Sequence, residues 1–309
     1  MIEVALMLEG QDGLNWPRFQ RLAHAAEDLG FAGLYRSDHF TNANPPDVDS
    51  LELWVSLTWL ASHTRRIEFG PLVTPVSFRH PALTARMAAA VDDLSGGRLH
   101  LGLGAGWQER EHHLFGFDLL DRPERFRRFE EGVQVISALL NSDQPVSFEG
   151  RYYTLRGAVM LPRPQRPGGP PILIGGNGPH YTLPLAARYA RLWNGVYLKP
   201  DEIKQRNAHL DELLSQRGRR PQEVHRSLMT GCWFGKDEAT LQAKLAAHPR
   251  RPTREQLRER GAVVGTPSEV VDQLGRLAEA GVQRVMLQWL DQDDLDGLES
   301  MANTVLPQL

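Results

Sequence analysis

Apolar residues recur along this chain with two alternating periods. Residues 2 to 8, IEVALML, form a compact run that predicts a buried strand. Trp16, Phe19, Leu22, Ala23, Ala26 and Leu29 then follow at spacings of three and four. They predict a helix that begins at the N-cap Asn15, carries Pro17 in its first turn and closes at Gly30. A second strand opens at Phe31. The alternation continues with helices expected over 51–63, 82–94, 123–141, 180–190, 200–216 and 267–280. The strands between them are expected over 66–73, 98–106, 170–176, 192–197, 226–235 and 282–290. Eight strands alternating with helices predict an α/β fold, a (β/α)8 TIM barrel, and right-handed crossovers make its strands parallel. Two segments interrupt the pattern. PVSFEGRYYTL, within 144–160, predicts a hairpin turning at Glu149 and Gly150, and 236–262 contains the polar run AAHPRRPTREQLRERG at 246–261. Both are expected as insertions over the C-terminal rim of a single domain spanning 1–309.

Composition narrows the partners. Of 309 residues, 41% are apolar and 24% charged, enough for a large core. A formal net charge of −3 offers no basic field for nucleic acid or acidic lipid, so a small-molecule substrate is expected. Cys232 is the single cysteine, which forbids an internal disulfide and suits a reducing compartment. The opening MIEVALMLEG lacks a basic n-region, and no run approaches the roughly 18 apolar residues of a membrane span. A cytoplasmic protein with no membrane contact is expected.

In such a barrel, chemistry gathers where strands end at the C-terminal face. The segment FAGLYRSDHF runs from a buried strand into Ser37, Asp38 and His39, which places polar groups at the mouth; the local alternative is that Asp38 caps the next turn. Glu9, at the exit of the first strand, is either an acid at the mouth or a charged rim residue. In GLGAGW, the alternating glycines admit a close approach of a ring or phosphate, or equally of neighbouring backbone. In IGGNGPHYT, successive N–H groups before a helix predict an anion-binding nest. Trp107, Trp193, Trp233 and Trp289 lie near strand exits, where they either pack the core or together wall a flat ligand. A zinc site from Asp38, His39, His80, His112, His113 and His180 is the rival reading. It is set aside because the first strand offers no histidine and the adjacent His112 and His113 diverge on a helix. No metal is expected.

In chain order, RSDHF, GPLVTPVSFRHPALTARMAAAVDDLSGGR, LGLGAGW, PPILIGGNG, RLWN and VGTPSEVVDQL resemble the bacterial luciferase-like monooxygenase superfamily. Its members are (β/α)8 barrels that bind flavin or the deazaflavin coenzyme F420. SDHF and RHP together with GLGAGW are more similar to the F420-dependent branch than to the FMN-dependent monooxygenases. The resemblance implies that Asp38 and His39 face the ring, that a bulge with a non-prolyl cis peptide around Pro71, Leu72 and Val73 presses on its back, and that Leu72, Val73 and Thr74 contact the coenzyme. It further implies Ala105, Gly106 and Arg110 along the ring and ribityl chain, and Gly175, Gly176 and Asn177 at the phosphate. The sugar-phosphate dehydrogenases of the family carry a Trp where this chain reads TNANPP and an acid where it has Trp107, so glucose 6-phosphate is not the expected substrate.

The function implied is an F420-dependent oxidoreductase that moves a hydride to or from a small organic molecule. His39 is the expected proton donor or acceptor, because an ordinary imidazole titrates near about 6.5. Asp38 is expected to orient it or bind the ring edge, and Glu9 is a second candidate acid. The alternatives are a two-component FMN monooxygenase supplied by a separate reductase and a non-catalytic flavin-binding protein, the latter at odds with a polar SDHF mouth. A homodimer is a family-level expectation. Arg250, Arg251, Arg254, Arg258 and Arg260 are either a cationic exit for the oligoglutamate tail of F420 or a solvated face balanced by Glu255 and Glu259.

Overall fold

The computed structural model describes residues 1–309. Its first half contains β1 (Glu3–Leu8), α1 (Trp16–Asp28), β2 (Gly33–Arg36), α2 (Leu53–His63), β3 (Glu68–Pro71), β4 (Thr74–Pro75), α3 (Pro81–Ser95), β5 (Leu101–Gly104), α4 (Glu109–Phe115) and α5 (Arg122–Asn141). After the hairpin β6 (Val146–Glu149) and β7 (Thr154–Ala158) come β8 (Ile172–Gly175), α6 (Thr182–Tyr189), β9 (Leu192–Val196), α7 (Pro200–Ser215) and β10 (His225–Phe234). The chain ends with α8 (Glu238–Ala247), α9 (Arg254–Glu259), β11 (Val263–Gly265), α10 (Pro267–Glu279), β12 (Arg284–Gln288) and α11 (Leu295–Thr304).

The parallel strands run β3-β2-β1-β12-β10-β9-β8-β5-β4, and a single bridge between Phe69 and Leu99 joins β3 back to the start of β5. This is the expected barrel. The strand expected over 66–73 ends at Pro71; a cis peptide between Leu72 and Val73 follows, then a further piece, β4, beyond the expected range, so that β3 pairs with β2 and β4 with β5. The hairpin turns just beyond Glu149 and lies along α5, its tip pinned where Glu131 accepts the N–H groups of Arg151 and Tyr152 at 2.9 and 2.8 Å. The segment 236–262 folds as α8 and α9, and β11 adds to the edge of β10. The eighth helix of the barrel is α11, which the pattern reading does not pick out.

Side-chain alternation explains the two main cores. Val4, Leu6 and Leu8 of β1 face outward into a cluster of 62 buried residues between strands and helices. Ala5 and Met7 face inward, into a seven-residue cluster with Tyr35, Leu72, Leu173, Leu192 and Met286. Glu9 continues the inward parity and so emerges inside the mouth. The opposite end is plugged by Arg284, which donates to Tyr35 Oη at 2.7 Å and pairs with Glu3 and Glu68 at 2.6 Å each. His100 Nδ1 lies 2.7 Å from the same phenol oxygen. Access is therefore from the C-terminal face. No helix is long and apolar enough to cross a membrane.

Candidate active site

A cavity of about 490 Å³ opens at the C-terminal face. Its floor is Leu72 and Val73, a shelf that glycines make possible. A Cβ on Gly104 would lie 2.5 Å from Val73 Cγ2, and one on Gly175 2.9 Å from Val73 Cγ1. The glycines of GLGAGW and IGGNG thus serve first to seat the shelf, a role the sequence reading left open. Ala105, Gly106, Gly175, Gly176 and Asn177 line the wall above it, with Glu9 and His39 across the mouth.

Asp38, Thr74 and Arg110 do not line this cavity. Asp38 turns into the barrel wall, where Arg79 donates to it at 2.5 Å and Thr74 Oγ1 at 2.6 Å. It neither orients His39 nor meets the cavity. Arg110 faces outward, held by Asp47 at 2.6 Å and by the Asn42 carbonyl at 2.9 Å. All three side chains thus lie off the cavity lining, each held by a partner distant in sequence.

The carboxylate that orients His39 is Glu111 of α4, whose side chain is only 1% exposed. Its Oε1 lies 2.8 Å from His39 Nδ1, and its Oε2 accepts the Phe40 N–H at 2.9 Å. Gln108, also buried, donates to the Thr41 carbonyl at 2.9 Å. Together they clamp the 39–41 loop and leave His39 Nε2 as the ring nitrogen directed away from the clamp. Burial alone drives the His39 pKa down, but the hydrogen bond and charge of Glu111, then the charges of Glu9 and Asp38, outweigh it, and the net shift is upward. Glu9 accepts from Gln11 Nε2 at 2.9 Å and from Gln288 Nε2.

The 175–178 turn, where a phosphate is expected, also differs from expectation in detail. The Gly176 N–H is taken by the Asn194 carbonyl at 2.9 Å, and the Asn177 side chain bonds the Val196 N–H and carbonyl, both at 2.8 Å. No backbone carbonyl accepts from the N–H groups of Asn177 or Gly178, so these two donors form the nest. Gly176 contributes through its φ of +123°, which aims the turn. Arg122, which the sequence reading passed over, also lines the cavity; its guanidinium lies 5.8 Å from the ring of Tyr181, which stacks on Phe126 at 4.7 Å. A shelf, a glycine-lined wall and two free N–H donors beside an arginine fit a flat ring bearing a phosphate.

The four tryptophans do not converge. Trp107 stands edge-on to His39, ring centroids 5.5 Å apart, whereas Trp193 is buried with its indole N–H on the Gly176 carbonyl at 2.9 Å. Trp233 and Trp289 line a separate hollow beside β10 and β12. The arginines of 246–261 do not form one exit either. Arg254 pairs with Glu238 and Glu269, and Arg258 with Glu269 at 2.9 Å.

The profile of luciferase-like monooxygenases matches residues 3–260. The chain belongs to the luciferase-like monooxygenase family. It is an oxidoreductase of this family, and its relatives span two chemistries. A 4-hydroxyprotoasukamycin monooxygenase of Streptomyces nodosus subsp. asukaensis is 28% identical, over 94% of this chain and 85% of its own. An F420-dependent glucose-6-phosphate dehydrogenase of Microbacterium testaceum is also 28% identical, over 92% of this chain and 90% of its own. Among solved structures, an F420-dependent secondary alcohol dehydrogenase in complex with an F420-acetone adduct superposes with a TM-score of 0.86, covering 99% of this chain and 98% of that one. At 20% identity that likeness establishes the fold.

Proposed function

We propose that the chain is an F420-dependent oxidoreductase that moves a hydride between the deazaflavin and a small organic substrate. The observation that carries this reading is the phosphate end of the cavity. Beyond Asn177 and Gly178 it does not close. It passes Arg122 and Phe126, stacked on Tyr181, toward a groove lined by His180, Arg217, Arg127 and Arg188; Glu130 also lines it and pairs with Arg188, Glu124 pairs with Arg127, and the lining stays net positive. FMN ends at its phosphate and has no use for a cationic exit, whereas F420 continues into a carboxylate-bearing tail. The tail is accordingly assigned to the groove between α5 and α6 rather than to the 246–261 arginines, for which the sequence offers a tail exit as one of two alternatives.

When bound, F420 supplies a ring carbon that exchanges two electrons and one proton as hydride and reacts poorly with oxygen. Leu72 and Val73 would support the ring from below. Trp107 and His39 also line the cavity, and His39 Nε2 is the site from which a proton is given or taken as the substrate changes oxidation state. Glu111 holds the imidazole and favours its protonated form. Glu9, across the mouth, is the second acid. The same reading has a separate reductase or dehydrogenase turning over the coenzyme, a homodimer and a cytoplasmic location.

The FMN monooxygenase reading is kept for one reason, the monooxygenase relative that spans 94% of this chain. Titration of the purified protein with F420 and with FMN decides between them. Tighter binding of F420 at low salt supports the proposal, and equal or tighter binding of FMN overturns it.

A further inference from the structure

Above the cavity, on the side of β9, β10 and β12, lies a second chamber of about 720 Å³. Strand parity makes it the upward continuation of the first. Met229 of β10 lines the cavity, and Gly231 and Trp233, two and four residues on and facing the same way, line the chamber. Tyr197, which lines the chamber, links the two through hydrogen bonds: its hydroxyl donates to Gln288, the residue that holds Glu9 of the cavity.

Three observations set this chamber apart from an ordinary surface hollow. Arg250 and Arg260 face it without a carboxylate partner, although Arg254 and Arg258 of the same segment are both paired. Glu259 also faces it, which leaves a net positive wall. Flat and apolar surfaces also line it: Trp233 with His248 edge-on at 5.2 Å, Pro252 and Leu290. Finally, the chain's non-glycine residues with left-handed backbone are Tyr197 at φ 52°, which lines the chamber, and Arg251 at φ 40°, between the lining residues Arg250 and Pro252. Such conformations persist where surroundings fix them and gather at binding sites. Gly231 contributes to that fixing, since a Cβ there would lie 3.0 Å from the Tyr197 hydroxyl.

We propose that this chamber is a substrate subsite for an anionic group, a carboxylate or phosphate, carried on a flat apolar body. The assignment rests on the oxidoreductase reading in that it gives the lower cavity to the coenzyme. The arginines meet the anion, the Trp233 side meets the body, and the rest of the molecule reaches down past Tyr197 toward His39.

The test is calorimetric titration of the full chain, with and without F420, using phenyl phosphate, inorganic phosphate and benzyl alcohol as probes. Phenyl phosphate is expected to bind at least about tenfold more tightly than either of the others, and at least about tenfold more weakly to the doubly substituted R250Q/R260Q protein. Both arginines are exposed, so that protein should keep its fold by circular dichroism. Trp233→Leu should weaken phenyl phosphate and leave inorganic phosphate unchanged. Bound F420 should not displace the probe. Absence of phenyl phosphate binding, or equal binding to parent and doubly substituted protein, overturns the proposal. Displacement of phenyl phosphate by F420, with weaker F420 binding to R250Q/R260Q, also overturns it and gives the chamber to the coenzyme tail. If instead F420 fails to bind while the arginines still govern phenyl phosphate, the coenzyme reading falls and the subsite stands.

Discussion

His39 Nδ1 and Glu111 Oε1 are 2.8 Å apart, joining the exit of β2 to α4 across 72 residues of sequence. The pair raises the His39 pKa in the folded protein. Its contribution to stability is therefore complete below the unfolded value of about 6.5 and is lost as pH rises through the folded value. In Glu111→Gln the charge is gone and burial dominates, so the His39 titration midpoint should move to lower pH. Histidine proton NMR reads this directly. An unmoved midpoint would show that another group holds the proton.

His39→Ala should lower hydride transfer by about 100-fold while coenzyme affinity stays within a few-fold of the parent. On the proposed reading the shelf and the 175–178 turn, not His39, hold the coenzyme. Near-parental turnover would transfer the acid-base role to Glu9, for which Glu9→Gln is the companion measurement.

Gly104→Ala places a methyl 2.5 Å from Val73 Cγ2, inside contact distance, so the shelf or β5 must shift. Overpacking of this kind costs about 1–3 kcal/mol. Urea denaturation should show that loss, together with weaker coenzyme binding. Gly275→Ala is the control: it sits in α10 with nothing within 4 Å of the new methyl. There the helix should gain about 0.5–1 kcal/mol.

Arg122→Gln should weaken F420 more than FMN, and the difference should shrink as salt is added, because an exposed cation meeting the coenzyme's carboxylates is screened. Equal losses for both ligands would place Arg122 at the phosphate alone.

The plug of the barrel sets a limit in acid. Burial, helped by the charges of Arg284, Arg166 and His225, holds the His100 pKa at about 3. The unfolded chain takes up this proton from about 6.5 downward, so the folded state loses stability as pH falls, by about 2 kcal/mol between pH 7 and pH 5. His100→Gln should flatten that slope in urea midpoints measured across the interval. A slope equal to the parent's would assign acid sensitivity to other groups.

The barrel was legible because its strands and helices announce themselves by period, and Asn15 caps α1 as its sequence position suggests, accepting the Arg18 N–H at 3.2 Å. The break at Leu72–Val73 is invisible to period, since what allows it lies in other strands, at Gly104 and Gly175. The placement of His39 and Glu9 at the mouth follows from strand ends. The fate of Asp38 does not, because Arg79 reaches it from 41 residues away. One missed signal was available. Gln108, Glu111, His112 and Phe115 fall at helical spacing on one face, and a face carrying an amide, a carboxylate and an imidazole marks a polar contact rather than a solvated surface. The three-residue β11 was too short for any pattern to disclose.

Leu241, Leu245, Leu257, Ala262 and Val264 form a small core of their own, apart from the main cluster, within the segment that carries α8, α9 and β11. A unit that satisfies its own apolar surface can change or open without loosening the barrel beneath it. The shelf, the glycine turn and His39 all lie in the first two thirds of the chain, whereas Arg250 and Arg260, the anion-binding pair proposed for the substrate, lie within this segment. Divergence confined to about two dozen codons would give such a barrel new substrates while its redox machinery stayed as it was, and exchange of that stretch between family members is the natural unit for re-engineering it.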